Sequence, residues 1–365
     1  MVERWTDAER LAALRLIRTP RVGPVTWAQL VRRFGSPVAA LAALPDLATR
    51  GGGKPPAVPP PERAEREMAV THQLGATLLF LGEAGYPPLL AEADGAPPLL
   101  AVKGRVELLE RPAVAMVGAR NASAAARKMA RELASELGRA GWLVVSGLAR
   151  GIDTAAHEGS LATGTCGVIA SGLDIAWPPE NASLQARIGE EGVLLAEQPP
   201  GTQPLARHFP TRNRIIAGLT RGTLVVEAAP RSGSLITARL AGEAGREVMA
   251  IPGSPLDPRA RGCNALIREG ATLVETAGDV IEALTTVSGG LRQERLPFDA
   301  GPSRLEEPGE GERRALADLL GPVPVAVDEL IRQSGLSAAQ VAGVLLELEL
   351  AGRLERHAGN RVSWG

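Results

Sequence analysis

Between residues 97 and 287, short apolar runs recur at 113–117, 143–145, 167–170, 193–196, 224–227, 248–251 and 272–274. Amphipathic stretches such as 122–140 and 235–244 lie between them. Strand and helix alternating this often predict a Rossmann-like, doubly wound, mostly parallel sheet with helices on both faces. Upstream, Leu11, Leu14 and Ile17, then Trp27, Leu30, Val31 and Phe34, keep helical spacing. Residues 1–75 therefore predict a helical domain, interrupted by Gly51-Gly52-Gly53 and the prolines between 55 and 61. Residues 76–287 form an extended Rossmann-like domain, and 288–311, polar and rich in Gly and Pro, a linker. Residues 312–365 follow as three helices and a hairpin, 353–356 with 361–364, around Ala358-Gly359-Asn360. That order predicts a winged helix.

Composition narrows the function. The 365 residues carry a net charge of −1, which argues against coating nucleic acid by bulk charge. No apolar run is long enough to cross a bilayer, and the N-terminus lacks a signal peptide's apolar core. The expectation is a cytoplasmic protein without a membrane partner. Cys166 and Cys263 have no CxxC partner or nearby His pair, so two free thiols and no metal site are expected. Lysine occurs only at Lys54, Lys103 and Lys128, so arginine supplies nearly every cation.

In an open α/β sheet, ligands sit at the carboxyl ends of the strands, and five loops fall there. The first, Val117-Gly118-Ala119-Arg120-Asn121-Ala122-Ser123, offers a helix start and an arginine for an anion, with Asn121 or Ser123 as the cap. The second, Ser146-Gly147-Leu148-Ala149-Arg150-Gly151-Ile152-Asp153, suits a phosphate-lined crevice, with Asp153 capping the next helix and His157 packed or capping rather than catalytic. The third, Ala170-Ser171-Gly172-Leu173-Asp174, leads through Trp177-Pro178-Pro179 into a helix and reads equally well as a capped turn. The fourth runs from Arg207 through Phe209, Arg212, Asn213 and Arg214 to Leu219; between 205 and 231 stand five arginines against the single acid Glu227. Arginines with an aromatic among them are the ingredients of a single-strand channel. The fifth, Ala229-Pro230-Arg231-Ser232-Gly233-Ser234, is a small-residue helix start, with Glu227 placed to pair with an arginine.

No GxGxxG opens the first strand–helix unit, no GxxxxGK[ST] is present, and no GxSxG elbow accompanies Asp and His in hydrolase order. These absences predict no dinucleotide or other cofactor, no P-loop ATP hydrolysis and no catalytic residues.

At these loops the chain resembles the DNA-processing protein A family (DprA, also called Smf). The resemblance runs through Val117–Arg120, the Ser146–Asp153 loop with His157, Phe209-Pro210-Thr211-Arg212-Asn213-Arg214 and the segment from Ser232 to Ala238. The N-terminal stretch resembles that family's SAM-like or helix-hairpin-helix-like domain, and the tail its winged helix. The resemblance implies a homodimer of natural transformation that binds incoming single-stranded DNA, shields it and helps load the RecA recombinase. It implies that Arg120 contacts DNA and that Phe209, Arg212 and Arg214 line the pocket, with Arg207 standing where relatives use a lysine. The full expected DNA-binding set is Gly118, Arg120, Ser146, Gly147, Arg150, Gly151, Arg207, Phe209, Arg212, Asn213, Arg214, Ser232, Gly233 and Ser234.

Two alternatives belong to other classes. A phosphoribohydrolase on a related fold would need a catalytic glutamate after its glycine loop, where this chain has Ala238-Arg239. A winged helix reading the major groove would need cations or amides on residues 337–351, which carry no Lys or Arg and include Glu347 and Glu349. That helix reads as a protein-contact face.

Overall fold

A computed structural model of the chain describes residues 5–289, 308–357 and 359–365. Most of the expected 288–311 linker lies outside them. The described chain divides into two compact units, one beginning at Glu65 and one joining residues 5–64 to the C-terminal segment.

The first unit is built on nine strands: β1 (Ala76–Phe80), β2 (Leu99–Gly104), β3 (Ala113–Val117), β4 (Leu143–Ser146), β5 (Thr165–Ile169), β6 (Val193–Ala196), β7 (Gly222–Val225), β8 (Glu247–Ala250) and β9 (Thr272–Leu273). Their order is β1-β2-β6-β5-β4-β3-β7-β8-β9. From β6 to β9 every neighbouring pair is parallel. β2 runs antiparallel to both β1 and β6, an edge that the strand–helix alternation did not anticipate.

Both faces of the sheet are covered. Ala113, Ala115 and Val117 of β3 enter one core, and Val114 and Met116 the other. A strand with two buried faces is apolar at nearly every position, which is why these strands read as near-continuous runs. Helix Ala124–Arg139 lays Ala130, Leu133, Ala134 and Leu137 on the Met116 side. Helix His208–Leu219 lays Ile215, Ile216 and Leu219 on the opposite side. Each large apolar side chain buried this way contributes about 1.5–3 kcal/mol of transfer free energy. The chain goes from β3 to β4 on one flank and returns through β7 on the other. The carboxyl edge between β3 and β7 is therefore a topological switch point, where an open α/β sheet leaves a crevice.

In the second unit, helices Asp7–Ile17, Pro24–Phe34 and Pro37–Arg50 pack with helices Glu310–Asp318, Val327–Ser334 and Ala338–Leu350. A three-stranded sheet ordered β10 (Val325–Ala326), β12 (Arg361–Trp364), β11 (Leu354–His357) completes the winged helix. Helix Ala338–Leu350 lies against the N-terminal helices: a Cβ on Gly51 would stand 2.1 Å from the Glu347 carbonyl oxygen. Glu347 accepts from Arg313 at 3.0 Å, and Glu349 from Thr26 Oγ1 and Arg356 Nε, each at 2.9 Å. The two acids on that helix are thus held within the unit. Among the described residues no helix is long and apolar enough to cross a membrane. Nor does any group of three or more His, Cys, Asp or Glu there form a metal site. Cys166 and Cys263 are free and buried.

His157 is wholly buried between the sheet and helix Ile152–Ser160, with Nδ1 2.9 Å from Thr165 Oγ1. The Thr165 hydroxyl gives its proton to the Val144 carbonyl, so the imidazole donates from Nδ1. Burial, with the nearby Arg212 charge, pushes its pKa down to about 3 from the ordinary 6.5. The unfolded chain therefore binds the extra proton first, and stability falls as pH drops from 6.5 toward about 3. Urea unfolding across that range should show the loss, and His157→Gln should flatten the slope. Identical slopes would remove His157 as its source.

Candidate nucleic-acid interface

The loop after β3 is stitched to its neighbours through backbone. The Ala119 N–H donates to the Glu227 carbonyl at 2.6 Å, and the Ala119 carbonyl accepts from Ile152 N at 3.2 Å. Two glycines permit this approach. A Cβ on Gly118 would lie 2.5 Å from Ile152 Cγ1; one on Gly151, whose φ is +81°, would lie 2.2 Å from the Ala119 carbonyl oxygen. Ser123 caps helix Ala124–Arg139, its Oγ accepting from Ala126 N at 3.1 Å. The Glu227 carboxylate accepts in turn from Ser123 N at 3.0 Å and Oγ at 2.7 Å. Glu227 thus holds the loop after β3 by hydrogen bonds, and its charge also acts on Arg259.

These loops border a crevice of about 510 Å³. Beneath it lies Arg212, only 6% exposed. Its guanidinium donates to the carbonyls of Gly147 and Val168, the latter at 2.6 Å, and Nε donates to Asn213 Oδ1 at 3.1 Å. Buried Asp153 accepts from the N–H groups of Gly147 at 3.1 Å and Ala149 at 3.3 Å. It therefore holds the loop before its helix rather than capping the helix itself. Burial pushes the Arg212 pKa down to about 10, opposed by the Asp153 charge and reinforced by Arg120. Burial pushes Asp153 upward, against the pull of Arg212 and the loop N–H groups.

Above this floor the crevice is cationic and aromatic. Exposed Arg120 places its guanidinium carbon 5.3 Å from the centre of the Phe209 ring, within cation–π range. Arg231, with φ +68°, precedes the start of helix Gly233–Glu243, and both line the crevice. The Ser232 and Ser234 hydroxyls there stand 2.8 Å apart. The free N–H groups of a helix start favour an anion.

Residues 77–285 match the family model described as DNA recombination-mediator protein A. The chain belongs to this DprA family. Residues 7–70 match a DprA-like N-terminal HHH domain and 300–360 a DprA winged helix domain. Relatives include DNA processing protein DprA of Streptococcus pneumoniae, 50% identical over 202 residues (54% of this chain, 70% of that one). Protein Smf of Synechocystis is 36% identical over 306 residues, covering 76% of this chain and 77% of that one. The X-ray structure of the Streptococcus pneumoniae protein superposes with a TM-score of 0.63 at 37% identity, over 76% of this chain and 98% of that one. The Helicobacter pylori DNA processing protein A, studied for its single-stranded DNA binding mode, gives 0.53 at 27% identity, over 58% and 96%.

In this family member Gly118, Arg120, Phe209, Arg212, Asn213, Ser232, Gly233 and Ser234 all line the crevice. Gly147 and Arg150 border an adjoining slot with Arg120 and Phe209, while Gly151 borders a further cleft with Arg120 and Arg150. Three expected residues are placed elsewhere. Ser146 is fully buried and its hydroxyl donates to the Met116 carbonyl at 2.7 Å. Arg214 donates to Glu197 at 2.5 Å and to the Gly95 carbonyl, outside the crevice lining. Arg207 is exposed at the N-cap of helix His208–Leu219, also outside that lining. Arg231 does line the crevice and was absent from the expected set. Its signal was a cation directly before the Ser232-Gly233-Ser234 helix start.

The stitching predicts unequal glycines. Gly151→Ala should destabilise the fold by about 1–3 kcal/mol through its left-handed φ and the carbonyl contact. Gly233→Ala, with open space around its Cβ, should not. Thermal or urea unfolding of the two variants decides it, and equal stabilities would contradict the role assigned to Gly151.

Proposed function

We propose that the chain is a single-stranded DNA-binding recombination mediator whose strand lies in the crevice between β3 and β7. The observation that carries this reading is the Arg120–Phe209 pair at the mouth, a cation beside a ring above the buried Arg212. Arg120, Arg231 and the helix start at Ser232–Ser234 suit phosphates, and Phe209 suits a base face. A duplex hides its base faces, so such a pair favours single strands. The single-strand binding described for the Helicobacter pylori relative supports the same reading.

Among the described residues the one carboxylate lining the crevice, Asp153, is occupied by two loop N–H groups. That favours binding over acid–base catalysis. The family's description as a recombination mediator supports the wider role. In it a cytoplasmic homodimer shields incoming DNA during natural transformation and passes it to RecA.

Gel shifts with single- and double-stranded oligonucleotides across salt concentrations test the reading. The single strand should win, and Arg120→Ala should weaken binding and flatten the log–log salt slope by about 0.7 for each phosphate that is no longer neutralised. Phe209→Ala should cost about 1–3 kcal/mol of binding. Unchanged affinity in a folded Arg120→Ala variant would sink the site, and equal binding of duplex would sink the single-strand reading.

A further inference from the structure

We propose that Trp177 is a second stacking wall, and that the slot between it and Phe209 receives one base of the bound strand. The inference rests on the single-strand reading above. Trp177 is 47% exposed, whereas Trp27 and Trp142 are 2% and 5% exposed and belong to cores. One exposed indole is ordinary on a protein surface. What distinguishes this one is its place. It borders a slot of about 60 Å³ together with Arg120, Phe209, Arg212, Pro178 and Pro204. Among the described residues no acidic side chain contributes to that wall. The slot opens beside Arg120, which borders the main crevice as well, so a strand gripped there has a base within reach of the indole.

The mount is stiff. Asn181 Nδ2 donates to the carbonyls of Leu148 at 2.8 Å and Ala149 at 3.3 Å, tying the tryptophan segment to the loop after β4. Ser171 Oγ at 2.9 Å and Gln185 Nε2 at 3.2 Å both donate to the Ile175 carbonyl. A ring held in place before the ligand arrives loses little freedom on binding. Two aromatic walls beside Arg120 and Arg150, the latter also reaching Glu180 at 3.5 Å, match a base and its flanking phosphates.

The experiment is a fluorescence titration of the full chain with a short single-stranded oligonucleotide, run beside gel shifts. Binding should quench emission in the parent, and Trp177→Phe should bind within a few-fold of the parent while losing most of the quench. Trp177→Ala should bind about five- to a hundredfold more weakly, yet keep the parent's salt slope because no phosphate partner is removed. An oligonucleotide with abasic sites should weaken binding to the parent at least as much as Trp177→Ala does with the intact strand. Parent-like affinity in Trp177→Ala, or a full quench in Trp177→Phe, would overturn the slot while leaving the crevice reading intact if Arg120→Ala still weakens binding. A parent that fails to bind any single strand would overturn both.

Discussion

The buried guanidinium of Arg212 is the constraint around which the crevice is organised. A cation removed from water is tolerable only if its donors find acceptors and its charge finds an opposite. Here the acceptors are carbonyls at the ends of β4 and β5, and the opposite charge is Asp153. Asp153 in turn holds the N–H groups of the loop after β4, and that loop abuts the one after β3 through Gly151. The two loops cannot shift independently. A Cβ on Gly147 would stand 2.1 Å from Arg212 Nη1, so the glycine there makes room for the charge beneath.

That framework sets what the surface above can do. Arg120 and Phe209 come from opposite sides of the switch point, one from the turn after β3 and the other from the helix that leads into β7. Neither is buried, yet the backbone bearing Arg120 is fixed by hydrogen bonds at Ala119 on both of its faces. Such pre-organisation lets a flexible ligand be gripped with little further ordering of the protein.

Much of this was legible in the sequence because the parallel strands are largely apolar on both faces and several are followed by glycine-bearing turns. β3 and β6 appear where the apolar runs at 113–117 and 193–196 predict them. β1 and β2 did not stand out: they form an antiparallel pair with only the short helix Pro88–Ala91 between them, outside the strand–helix alternation that marks the parallel strands. The arginine-rich segment was legible as chemistry but not as geometry. Arg212 and Arg214 are two residues apart on one helix, where side chains diverge, so one faces the crevice floor and the other Glu197. Ser146 is placed by a related constraint: the last residue of a buried strand has its hydroxyl captured by the neighbouring strand's backbone. The roles of Asp153 and Glu227 depend on partners 4 to 104 residues away, and such pairings leave no local pattern.

The union of residues 5–64 with the C-terminal segment has a consequence for how the molecule is made. The helices synthesised first find their packing partner, helix Ala338–Leu350, in the stretch synthesised last. At ribosomal speeds the wait between the two is roughly ten to fifty seconds. During that interval Thr26 and the surface around Gly51 face water or a chaperone instead of Glu349 and Ala351. The sheet unit can close in the meantime, because its strands are contiguous in the chain. Birth order and folding order are therefore reversed for these helices, which precede the sheet unit in the chain and are completed after it.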